Sequence, residues 1–238
     1  MGPKNYFGRI LMAMLLCAAG GGCVRNQGVV TGPYQAERAS SADEAFPSGL
    51  PAIGKWMIAP DGAPAHWLNQ IYYGKNLREP INVIIVDRAA KSSADAQERL
   101  LRALNVAGFP LRFGHSRGYA GLIGGVRSGQ LGTGKSATFS DEPFELNNNH
   151  GRLFGPYFYD GAYIFTGAFS REKVDPIAQV KHEFVSFNQA RDALAQRMEW
   201  RTGFKRTGFI ALDNVLLDHP ELSTGDHDGI AVLLEAKN

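Results

Sequence analysis

Cysteine is nearly missing from this 238-residue chain: both copies, Cys17 and Cys23, fall within the first 23 residues. No disulfide scaffold can be built from the rest, so the remainder must be held by a packed core. Charge of one sign is lacking as well. With 25 Lys+Arg against 23 Asp+Glu, there is no broad basic field for nucleic acid and no acidic tail. The one strongly apolar run, ILMAMLLCAA at 10–19, is half the ~20 residues a spanning helix requires. No HxH or HExxH spacing joins any of the six histidines, so a zinc site has no motif to stand on and no metal or cofactor is expected. What is abundant is glycine, 28 residues, accompanied by 14 Phe and 8 Tyr. That combination predicts a domain rich in strands and turns.

The N-terminus points to export. Lys4 and Arg9 precede the short apolar run, and Gly20, Gly21 and Gly22 lead into Cys23, the order of a secretory signal with a small-residue cleavage site. The GGGC stretch resembles a bacterial lipobox, in which the cysteine becomes the lipidated N-terminus, although Gly20 stands where such boxes usually carry Leu. On this reading residues 1–22 are a lipoprotein-type signal, Cys23 carries the acyl anchor, and 23–50 form a flexible tether poor in apolar periodicity. Loss of Lys4 and Arg9 takes the formal charge from +2 to zero. Membrane attachment would then come from acyl chains rather than basic residues. Val24, not Asp, follows the cysteine, so outer-membrane sorting, facing the periplasm, is expected by likeness to Gram-negative lipoproteins.

From 51 to 238 the pattern predicts one α+β (or α/β) domain with a mixed sheet, a central hairpin and two main helices. INVIIVD at 81–87 reads as a strand buried on both faces. Ser92 and Asp95 then open an amphipathic helix carrying Ala96, Leu100, Leu101, Leu104 and Ala107 and closed by Gly108. The glycine-rich 111–136 opens on a short strand, LRF, and its glycines interrupt short apolar pieces. Asp160-Gly161 is a two-residue turn between aromatic strands at 150–159 and 162–170. A second helix runs from about Asn188 to Arg201, with Ser186 and Gln189 at capping spacing, and 229–236 forms a closing strand.

Three motifs carry possible chemistry. Residues 129–136 fit the P-loop pattern through Gly134, Lys135 and Ser136, but neither a strand before nor a helix after is indicated, so no nucleotide is expected. Gly114-His115-Ser116-Arg117-Gly118 matches a nucleophile elbow, for which Asp175/His182, Asp213/His219 and Asp226/His227 lie in the right order to complete a triad. The glycines that follow argue against the required helix. The third is polar: His150 and Arg152 lie two apart on a strand and share a face, while His182 and Arg191 flank the start of the second helix. Converging, these four would suit a phosphate or carboxylate. Were that face buried, Arg152 would need an acceptor, with Asp192 or Glu183 the expected partners.

The spans EPINVIIVD, RFGHSRGY, NNNHGRLFGP, GAFSRE, KHEF and ARDAL, across roughly residues 65 to 210, resemble the LssY C-terminal-like domain of bacterial envelope proteins. Its motif falls on His150, Arg152 and Phe154, then His182, then Arg191 and Asp192. In some relatives the domain follows a phosphatase-like or transporter-like membrane segment, which this sequence lacks, and the resemblance implies no settled activity. The expectation is therefore a lipid-anchored envelope protein whose domain binds a small anionic ligand or an envelope partner. The alternative is a periplasmic hydrolase acting through Ser116 or the His/Arg cluster.

Overall fold

The computed structural model describes residues 43–113, 118–132, 136–175 and 181–236. Short strands β1 (Glu44–Ala45) and β2 (Ile53–Gly54) come first, then the hairpin β3 (His66–Tyr72) and β4 (Lys75–Arg78). The strand β5 (Val83–Asp87) leads into α1 (Ser93–Ala107) and β6 (Leu111–Phe113). β7 (Ala120–Ile123), β8 (Val126–Gly129) and β9 (Ser136–Ser140) precede a long hairpin of β10 (Asn148–Tyr159) and β11 (Ala162–Asp175). Finally β12 (Lys181–Ser186) runs into α2 (Phe187–Arg201), followed by β13 (Phe204–Ala211), β14 (Leu222–Ser223) and β15 (Ile230–Ala236).

The main sheet is mixed, ordered β13-β15-β5-β11-β10-β9-β6, with β15 parallel to β5 and β12 alongside the far half of β11. Among the described residues strand outweighs helix, 48% to 17%, so the described structure is mostly β with some helix, and the α+β expectation holds at that coarse level. Both predicted helices form with the predicted caps: Ser92 Oγ accepts from Asp95 N, and Ser186 Oγ accepts from Gln189 N. Gly108 ends α1 in the left-handed region at φ 81°. Asp160 and Gly161, at φ 45° and 72°, make the predicted turn.

Burial on both sides of β5 comes from two different layers. Val83 and Ile85 face the helices, packing with Leu100 and Leu104 of α1 and Leu194 and Met198 of α2. Ile84 and Val86 face a second core with Ile53, Met57, Ile123 and Phe154. That second layer is a small sheet, β1-β2-β7-β8, drawn largely from the glycine-rich segment. Glycine serves close approach there: a Cβ on Gly121 would stand 2.7 Å from Thr166 Oγ1 and 3.0 Å from Phe154 Cδ2. The described residues also begin inside the span read as tether. Glu44 pairs with Gly54, and Trp56 Nε1 donates to Asp43 Oδ1 at 2.9 Å.

Where β5 leaves the edge of β11 and β12 takes over, Asn82 fills the gap. Its Oδ1 accepts from Phe169 N at 3.0 Å and its Nδ2 donates to Phe169 O at 2.9 Å, so a side-chain amide replaces one rung of the ladder. Gln70 does the same for β12, accepting from Phe184 N at 3.0 Å and donating to His182 O at 3.2 Å. A register break in β3, with Leu68 and Asn69 both at positive φ, precedes Gln70.

Candidate functional site

Strand alternation puts Asn148, His150 and Arg152 on the face of β10 that carries Phe154 and the second core. Directly across on β11 lie Glu172, Ser170 and Ala168, and on β12 Phe184 and His182. Glu172, 2% exposed, is the hub of this group. Its Oε1 accepts from Asn148 Nδ2 at 2.6 Å and stands 3.7 Å from His150 Nδ1, while its Oε2 stands 2.9 Å from His182 Nδ1.

Asn148 uses Nδ2 as donor to Glu172 and to Leu146 O, so its Oδ1 is the acceptor 3.0 Å from His150 Nδ1. This assigns the proton of His150 to Nδ1 and leaves Nε2 as an acceptor, 3.5 Å from Ser170 Oγ. Ser170 Oγ in turn accepts from Trp67 Nε1 at 2.9 Å. Burial pulls His150 down to about 4 although Glu172 opposes the shift, so the ring is neutral near pH 7. The resulting relay runs Trp67, Ser170, His150, Asn148, Glu172, and it is closed to solvent except at the half-buried edges of His150 and His182.

Arg152 shares the face but not the hub. Its guanidinium lies 3.8 Å from Glu79 and 4.6 Å above the Tyr119 ring, and its Nε has no hydrogen-bond partner among the described residues. The charge partner is thus Glu79, contributed by the connection after β4, rather than Asp192 or Glu183. Burial pushes the Glu79 carboxyl up while Arg152 draws it down. Arg191 is not brought to the cluster either. It is buried in the inner stripe of α2, donating to Asp192 at 2.8 Å, to Asp228 at 2.6 Å and to Ile230 O at 3.1 Å. The four expected residues therefore divide into a pair on Glu172, an arginine on Glu79, and a helix arginine tying α2 to the start of β15.

Of the triad partners considered, Asp226 caps α2, accepting from Ser186 Oγ and from Phe187 N at 2.7 Å. His227 is buried with Nε2 2.7 Å from Asn214 Oδ1, and burial pulls it to about 4. Ser116, Gly134, Lys135 and Cys23 lie outside the described residues. Downstream of both glycine motifs the chain forms strands, β7 and β9, where an elbow or a P-loop would need a helix. No three His, Cys, Asp or Glu side chains among the described residues are placed to hold a metal ion. No helix among them is long and apolar enough to cross a membrane.

Sequence reading missed Asn148, Ser170 and Glu172. The available signal was period two: Asn148 shares the parity of His150, and Ser170 shares that of Glu172. Comparison with family models, with curated proteins and with solved structures found no match to this chain.

Proposed function

We propose that this chain is an exported, lipid-anchored protein of the cell envelope, tethered through Cys23 to the periplasmic face of the outer membrane, whose domain binds a ligand or partner. Export and anchoring rest on Lys4, Arg9, the ten-residue apolar run and the small residues before Cys23. The binding reading, as against catalysis, rests on one observation. Among the described residues, the groups of this cluster that would do acid–base or nucleophilic work are engaged inside the domain, with Ser170 buried beneath Trp67 and Glu172 held by Asn148 and His182. The resemblance to LssY C-terminal-like domains agrees with an envelope setting. In detergent phase separation, wild type should partition with detergent and Cys23→Ser with the aqueous phase. Identical partition of the two would remove the anchor from the proposal.

A hydrolase remains the second reading, because Ser170 Oγ, His150 and Asn148 stand in the order nucleophile, base, orienting group. A fluorophosphonate probe separates the two. Binding alone leaves the wild type unlabelled, whereas labelling abolished by Ser116→Ala or Ser170→Ala establishes the hydrolase.

A further inference from the structure

Along α1, Arg99, Arg102, Ala103 and Val106 recur at i, i+3, i+4 and i+7 and so share one side of the helix. Facing them is the link from α2 into β13, which supplies Arg201, Thr202 and Phe204. Between the two lies a groove of about 300 Å³, the lower end of the range that holds small ligands. Its described lining contains three arginines and no acidic residue.

The three guanidinium groups differ in how far they are committed. Arg99 is positioned from behind: Nε donates to Asp87 Oδ2 at 2.8 Å and Nη2 to Oδ1 at 3.3 Å, while Nη1 makes no hydrogen bond among the described residues. Asp87 is itself buried at the end of β5 and fixed by the Ala89 and Ala90 amides. A buried carboxylate that orients an arginine and leaves one face of its fork open is the arrangement that presents donors to an incoming oxyanion. Among the described residues Arg102 pairs with Glu98 alone, at 2.6 Å, with both side chains 71% exposed, a pair that contributes little and exchanges readily. Arg201 has no acidic partner among the described residues, and its Nη1 lies beside Gly108 at the end of α1. Ala103, Val106 and Phe204 supply an apolar wall.

We infer that this groove is a binding site for a small organic oxyanion, a phosphomonoester or carboxylate head on a short apolar body, gripped by Arg99, Arg102 and Arg201. The inference deepens the binding reading by giving it a place and a ligand class, and rests on that reading. The grip is distinct from the His150–Glu172–His182 group, whose neutral imidazole and buried carboxylate do not attract anions. A phosphomonoester head occurs both on soluble metabolites and on phosphatidic acid, so the test separates the sources.

The full chain in detergent micelles is titrated calorimetrically with phenyl phosphate, benzoate, phenol and dihexanoyl phosphatidic acid. Saturable binding of phenyl phosphate or benzoate, with none of phenol, supports a soluble ligand. Binding of dihexanoyl phosphatidic acid alone assigns the site to a lipid headgroup. In either case Arg201→Ala and Arg102→Gln should each weaken binding by about tenfold while leaving the thermal midpoint near wild type, since neither side chain is buried. No saturable binding of any anion at millimolar concentration, or binding indifferent to both substitutions, overturns the inference. Because the titration does not depend on Cys23, its failure leaves the anchoring proposal standing, and failure of the Cys23→Ser experiment leaves the groove untouched.

Discussion

Arg152 carries a permanent charge into the second core, where leaving a guanidinium without acceptors is costly. Glu79 and the Tyr119 ring answer that charge, and Glu79 would be equally stranded without it. Removing one partner of such a pair is expensive because the other stays buried and uncompensated. Arg152→Ala should therefore destabilise the domain by roughly 3–5 kcal/mol, read by urea denaturation. Loss of a ligand-dependent activity at unchanged stability would instead place Arg152 in a pocket. The identity of the partner could not be read from sequence. Glu79 lies 73 residues before Arg152 and shares no local pattern with it, so only chain crossing in three dimensions joins them.

At the level of elements, the segment 118–132 shows glycine serving a steric purpose. Its glycines left only short apolar pieces from which to place strands, since glycine weakens helices and strands alike. In the fold Gly121 lets β7 lie directly on the main sheet, against Phe154 and Thr166. The side chain is omitted because there is no room for it. Gly121→Val should consequently act as a wedge between layers and cost about 1–3 kcal/mol or more, with faster amide exchange in β7 and β8 than elsewhere. A melting temperature equal to wild type would show that the layers separate freely there. By contrast, both helices were legible to within a residue or two, because caps and apolar spacing are local properties of the chain.

Taken as a whole, the molecule stores its pH response in neutral, buried histidines. His150 and His227 are each held at about 4 by burial, below the 6.5 of an unfolded chain, and burial lowers His66 in the same sense. Between pH 6.5 and 4 the unfolded chain therefore binds protons that the fold refuses, so stability rises with pH there. It is complete above 6.5 and lost as pH falls toward 4, by about 1.4 kcal/mol per pH unit for each proton. Glu79, raised by burial, works in the opposite direction. The urea midpoint should fall from pH 7.5 to 4.5, and His227→Gln should flatten that fall. A midpoint that holds steady or climbs on acidification would contradict the burial of these rings. Both helices, the doubly buried strand β5 and the Asp160-Gly161 turn were set by the sequence alone, since each depends on neighbours within a few residues. The composition of the polar face was not. Counting back from that turn in a regular ladder sets His150 opposite Arg171, with Lys173 on the same side. The structure instead has a register shift between Phe154 and Tyr157, at Gly155-Pro156, which places Ser170 and Glu172 there. Proline has no N–H to continue the ladder, and a one-residue slip exchanges the two faces of a strand. That slip, together with the crossing of β5, β11 and β12, decided that His150 and His182 would meet a buried carboxylate rather than two bases.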